Sequence, residues 1–165
     1  MTFQQLPTTR RGDVGEVIAD RYFDAQGWHS YKPPTGPPHP IDRVLMTKSG
    51  IFAVDVKTYA RQFSRPCTGI DTADHKKYLT IEDGGLPVVL FFVDHFEGCI
   101  YSGRISQLRH VATTVDEKTY YPLTAMIFTR RLTEQERKLL HAPADPRYTF
   151  TQPFFAINQP GYHAN

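Results

Sequence analysis

The chain has 165 residues, 40% of them hydrophobic, and a formal net charge of +2. That length and composition fit one folded domain with a sizeable core and favour it over a disordered chain. The near-neutral charge excludes a bulk polycation, so a nucleic-acid role has to rest on a local patch. No apolar run approaches the roughly 20 residues of a membrane span, and the N-terminus lacks the apolar core of a signal peptide. The expected location is therefore cytoplasmic. Cys67 and Cys99 have no metal-type spacing and fit a reducing compartment, with a disulfide left open.

Residues 1–11 are polar and read as an irregular lead-in. Val14, Val17, Ile18, Tyr22 and Phe23 then recur at helical spacing, which predicts a helix over 13–26. Asp13 is placed to cap its start and Gly27 its end. Glu16 lies at the edge of the apolar stripe, where the helix dipole alone would favour an acid. Trp28 to Tyr31 is a short aromatic strand. Between Lys32 and Pro40 stand five prolines, which exclude a helix or a central strand. This stiff run is either a rigid connector or a loop over a cleft that brings His39 near Asp42.

A β-hairpin follows, with strands at Ile41–Met46 and Ile51–Lys57 and a turn at Thr47-Lys48-Ser49-Gly50. Alternation puts Phe52, Val54 and Val56 on one face and Ile51, Ala53, Asp55 and Lys57 on the other. The hairpin brings Asp42 close to Asp55 and Lys57. Two readings stand for that trio. One is a strand-end ion pair, which contributes little. The other is a metal site, because two adjacent carboxylates repel unless a cation or a proton intervenes. Mg²⁺ suits it: it is commonly held by one or two carboxylates, with water and phosphate completing its shell.

Residues 59–71 read as a connector in which Arg61 and Arg65 alternate with Tyr59 and Phe63. It is either a solvated loop or a surface for phosphate contact and base stacking. A helix is predicted from Asp71 or Thr72 to Ile81, stopped by Gly84-Gly85. Its Lys76 and Lys77 are either phosphate contacts or an exposed helix face. The apolar run from Leu86 to Val93 reads as a strand buried on both faces. Gly98–Ile105 is a further strand, Ser106–Thr113 a short helix capped by Ser106, and Tyr120–Thr129 another strand. Thr133-Glu134-Gln135-Glu136 matches a capping box and starts a helix to His141. The core thus spans about 12–141 of a single 1–165 domain. The tail, 142–165, carries Tyr148, Phe150, Phe154 and Phe155 and reads as a docked arm or a partner-binding segment.

Pro40-Ile41-Asp42 and Asp55-Val56-Lys57 resemble the two motifs of the PD-(D/E)XK nuclease superfamily. The resemblance covers about the first hundred residues. It implies an α/β restriction-endonuclease-like core, a three- or four-stranded mixed β-sheet flanked by helices. Many members open with a helix reading Gly-X-X-Gly-Glu. Gly12-Asp13-Val14-Gly15-Glu16 has that form, which places Glu16 at the site. Some members also carry Gln-X-X-X-Tyr on the helix after the lysine strand. Asp74 and Tyr78 have the spacing, with Asp in place of Gln.

The resemblance implies a metal-dependent deoxyribonuclease with Mg²⁺ as cofactor and Mn²⁺ as a substitute. Asp42 and Asp55 would hold the ion with the Val56 carbonyl, and Glu16 directly or through water. Lys57 would serve the attacking water. Arg61, Arg65, Lys76 and Lys77 are the expected contacts to DNA, with RNA left open. A homodimer is an expectation by analogy with nucleases that cut both strands. The competing reading is a catalytically silent nucleic-acid- or protein-binding module on the same fold.

Overall fold

The computed structural model describes residues 7–33, 40–58 and 66–141. It opens with helix α1 (Pro7–Ala25) and short strand β1 (His29–Tyr31), then the hairpin β2 (Arg43–Thr47) and β3 (Gly50–Lys57). Strand β4 (Cys67–Asp71) leads into helix α2 (Thr72–Asp83) and strands β5 (Val88–Asp94) and β6 (Cys99–Arg104). The single-turn helix α3 (Ile105–Leu108) precedes β7 (Thr113–Val115), β8 (Lys118–Pro122), β9 (Ile127–Arg131) and helix α4 (Glu134–His141).

The main sheet has six strands in the order β1-β2-β3-β5-β6-β9. β3 and β5 run parallel and the other neighbours antiparallel, so the sheet is mixed. A second sheet of three strands, β4-β8-β7, lies apart. β3 divides two cores because its side chains alternate. Val54 and Val56 pack with Val14, Ile18 and Phe23 of α1 and Leu140 of α4. Ala53, on the opposite face, packs with Tyr78 of α2 and Ile105 and Leu108 of α3. β5 is buried on both sides: Phe91 and Val93 face the first core, and Val88, Leu90 and Phe92 the second. The unbroken apolar run from 86 to 93 predicted that position.

Helix α1 starts at Pro7, within the stretch expected to be irregular. Proline's fixed φ and missing N–H suit a first helical turn. Asp13 therefore lies inside the helix and is not its cap. At the other end Gly27 takes φ +68°, its N–H reaches the Asp24 carbonyl, and the Trp28 N–H reaches the Phe23 carbonyl. That paired closure is the Schellman motif, and it requires the left-handed residue that glycine supplies. The hairpin closes through Lys48-Ser49, with Thr47 opposite Gly50. The capping box at α4 forms as expected: Thr133 Oγ1 accepts from the Glu136 N–H, and the Glu136 carboxylate accepts from the Thr133 N–H.

Four other expectations change. The sheet has more strands than the three or four expected. The end of the presumed connector is β4, which pairs with β8. Ser106 lies within α3 and does not cap it, and Thr113 belongs to β7. The single strand expected over 120–129 is two, β8 and β9, broken by a 3₁₀ turn at Leu123–Ala125. Pro122 has no N–H to continue a ladder, so the chain leaves one sheet there and joins the other. Cys67 and Cys99 are both buried and are not joined in a disulfide. No described helix is long and apolar enough to cross a membrane. The 142–165 tail lies outside the described residues.

Candidate active site

The hairpin sets two carboxylates side by side. The Asp42 N–H donates to the Val54 carbonyl, and Asp42 Oδ2 accepts from the Val56 N–H at 2.7 Å. Asp42 thus replaces the next rung of the β2–β3 ladder with its own side chain. Asp55, 2% exposed, points to the α2 face. Its Oδ1 stands 3.1 Å from Lys57 Nζ, and the Tyr78 hydroxyl hydrogen-bonds the carboxylate. Asp55 Oδ2 is buried and has no hydrogen-bond partner among the described residues.

This burial has an electrostatic consequence. The Asp55 carboxyl is pushed up to about 7, first by burial; Lys57 opposes the shift and the Asp42 charge adds to it. Asp42 is also raised, first by burial, against the stabilising Val56 N–H, with Glu16 adding repulsion. Tyr78 is pushed upward by its own burial and by Asp55, so it stays a hydrogen-bond donor. A carboxylate pair raised in this way favours either a shared proton or a cation.

Glu16 comes from α1 and stands beside this pair without joining it. Its Oε2 is 3.0 Å from Lys32 Nζ and 3.0 Å from Arg43 Nη2. Arg43, 2% exposed, forks onto Asp20 with two bonds of 2.7 Å and donates from Nη1 to the Asp42 carbonyl at 2.8 Å. Asp13, Glu16 and Asp20 share one face of α1, at i, i+3 and i+7. Asp13 is raised to about 6, by burial first, then by Glu16. Gly15 lets α1 approach the end of β3: a Cβ there would collide with Thr58 Oγ1. The second glycine of the Gly-X-X-Gly-Glu pattern is thus a packing requirement, while Gly12 has open space.

Among the described residues no group of three or more His, Cys, Asp or Glu stands ready to hold a metal ion. Two carboxylates with an unpartnered buried oxygen fit an ion that keeps water and takes phosphate oxygens, as Mg²⁺ does. Lys76 and Lys77 are exposed on α2, the helix that supplies Tyr78, and Lys77 pairs with Asp74 at 3.1 Å. Arg61, Arg65 and His39 lie outside the described residues.

Arg43, Asp20 and Tyr78 are site residues that the sequence motifs do not assign to the site. The acidic spacing of 13, 16 and 20 was the available signal for the first two. The Asp74–Tyr78 spacing was the signal for the third.

The fold has solved counterparts. The Holliday junction resolvase Hjc of Archaeoglobus fulgidus superposes with a TM-score of 0.54 at 11% identity, over 73% of this chain and 91% of that one. The chain has the restriction-endonuclease-like fold. The likeness is one of fold, and it agrees with the fold class expected from the sequence. Weaker likenesses are a bacterial homing endonuclease, with TM-score 0.48, 13% identity, and 68% of this chain and 72% of that one covered. A nuclease from a fusselovirus gives TM-score 0.42 at 13% identity, with 76% and 85% covered. No protein-family model and no curated protein matches the chain. On the restriction-endonuclease-like core the Asp42–Asp55–Lys57 trio lies at the far end of the hairpin from its turn, just before β2 begins and where β3 ends.

Proposed function

We propose that this protein is a divalent-metal-dependent nuclease that hydrolyses DNA phosphodiester bonds. The observation that carries the reading is Asp55 Oδ2: a buried, unpartnered carboxylate oxygen beside a second carboxylate and a lysine. Asp42 and Asp55 would hold Mg²⁺ or Mn²⁺. The Val56 carbonyl, turned to the same side of the strand as its N–H, is a further ligand. Bound there, the ion would acidify a water and neutralise charge on the phosphoryl oxygens.

The chain's own residues do the rest. The Val56 N–H fixes one Asp42 oxygen at 2.7 Å and leaves the other for the site. Tyr78 and Lys57 hold the Asp55 carboxylate in one rotamer. Lys57, a fifth exposed, reaches the carboxylates from solvent and is the group placed to orient a water and carry its proton. Glu16, held by Arg43 and Lys32, acts through water rather than as a direct ligand. Lys76, Lys77, Arg61 and Arg65 contact phosphates, and a homodimer matches the two strands of a duplex.

The test is cleavage of linear, circular, single-stranded and branched DNA, and of RNA, with Mg²⁺, Mn²⁺ or EDTA. Metal-dependent cleavage that Asp55→Asn abolishes is the expected result. A folded protein that cuts none of these substrates with either metal is instead a silent binding module, and the nuclease reading fails.

A further inference from the structure

Beside the site stands a buried, many-bonded side chain that takes no direct part in the proposed chemistry. Arg43 is buried to 2% exposure, yet all three of its nitrogens donate to oxygen. Nε and Nη2 fork onto Asp20 at 2.7 Å each, Nη2 also reaches Glu16 Oε2 at 3.0 Å, and Nη1 meets the Asp42 carbonyl at 2.8 Å. It ties α1 to the first residue of the carboxylate pair. A buried guanidinium of this kind is costly to desolvate and is a poor source of net stability. Its planar fork does, however, fix two carboxylates in place better than a flexible ammonium can.

Glu16 is the group that needs fixing. It is a quarter exposed, and its bonds to described residues all fall on Oε2. The second cation on that oxygen, Lys32, is 60% exposed and is free to leave. Arg43 is not free to leave, because Asp20 and the Asp42 carbonyl hold it from two other directions.

We propose that Arg43, anchored by Asp20, is a positioning residue that sets the Glu16 carboxylate beside Asp42, presenting Oε1 to the water shell of a divalent cation bound at Asp42 and Asp55. The inference rests on the metal reading above and adds to it how the third acid is held. Lys32 is the displaceable partner of the same oxygen. Asp20 also takes up the Arg43 charge, and so keeps the guanidinium from competing with the metal for Glu16.

The experiment is a double-mutant cycle on Mn²⁺ affinity, read by electron paramagnetic resonance of free Mn²⁺ with the full chain and no DNA. The four proteins are wild type, Arg43→Lys, Glu16→Gln and the double variant. Partners behind metal ligands are typically worth about 10–100-fold in affinity. Arg43→Lys keeps the charge but loses the fork, so a loss of about tenfold is expected in the wild-type background. A change of less than about twofold is expected once Glu16 is Gln, because the two effects share one route. If Arg43→Lys does not fold, the same cycle is run with Asp20→Asn, which acts at a partly exposed residue. Asp24→Asn, one turn further along α1, controls for charge alone and should leave affinity unchanged.

Additive losses, or no loss on Arg43→Lys, overturn the positioning role while the metal site stands. A matching loss on Asp24→Asn also overturns it, since long-range charge would then explain the effect. A folded wild-type chain that binds no Mn²⁺ removes the metal reading, and this inference with it.

Discussion

Replacing Asp55 by Asn should make the metal-free protein more stable at pH 8. Asp55 is raised from its usual 3.8 to about 7 in the folded chain, chiefly by burial. The folded chain therefore holds this proton more tightly than the unfolded one. Its contribution is fully present below about pH 4 and is lost as the pH rises to about 7. A displacement of about three units corresponds to something on the order of 4 kcal/mol. Asparagine is neutral throughout and escapes that cost. The attraction of Lys57 is already contained in that displacement, so what remains is the loss from bringing an amide to an oxygen position without a partner, about 1 kcal/mol. A net gain on the order of 1–3 kcal/mol at pH 8 remains, and at pH 4, where Asp55 keeps its proton, it turns into a loss of about 1 kcal/mol. For a chain of this size each kcal/mol moves Tm by roughly 2–4 °C. The assay is thermal unfolding of both proteins in EDTA at pH 4, 6 and 8, repeated with Mg²⁺. Metal should raise the wild-type Tm, by about 2.7 kcal/mol of stability at a hundredfold excess over Kd, and leave the variant unmoved. A variant less stable than wild type at pH 8, or a Tm difference that ignores pH, would refute the reasoning.

Lys57→Ala should slow single-turnover cleavage by about 10²–10⁴-fold, the usual range for lost proton-transfer assistance, while DNA and metal still bind. Lys57→Arg should not restore proton transfer, because guanidinium keeps its proton at working pH; equal rates in all three proteins would remove Lys57 from the mechanism. Lys76→Ala with Lys77→Ala should lower the slope of log affinity against log salt by about 0.9 per lost phosphate contact on duplex DNA, and an unchanged slope places the nucleic acid elsewhere. Gly15→Ala forces a Cβ into Thr58 and should cost roughly 1–3 kcal/mol in urea unfolding, as overpacking does; a neutral effect would mean that α1 can shift away from β3.

The hairpin was legible because its alternation, its turn and its charged end all lie within one local stretch. β5 was legible from an unbroken apolar run, and the start of α4 from a four-residue box. What stayed hidden depends on distant pairing. β4 follows a basic, aromatic connector and becomes a strand because β8 lies beside it, a partner more than forty residues away. The run from 118 to 131 looks continuous, yet Pro122 and a 3₁₀ turn divide it between two sheets. Arg43 is the sharpest case. An arginine in a strand is ordinarily placed in solvent, and only the acidic face of a helix that passes over it makes burial tolerable. Tyr78 likewise sits at the right spacing for its motif, but only the packing of α2 on β3 gives its hydroxyl a carboxylate to bond.

The two-residue turn at Lys48-Ser49 is exposed and lies at the opposite end of the hairpin from Asp42 and Asp55. Asp55 lies five residue steps along β3 from Gly50, a span of about 17 Å at strand rise. A protein engineer therefore has a port in this molecule. A fluorophore, an affinity tag or a whole guest domain spliced between residues 48 and 49 would hang clear of the carboxylates. The strand itself offers no such freedom. A shift of one residue along β3 would exchange Asp55 with Val56, turning the acid into the apolar layer beneath α1 and erasing the site in a single step.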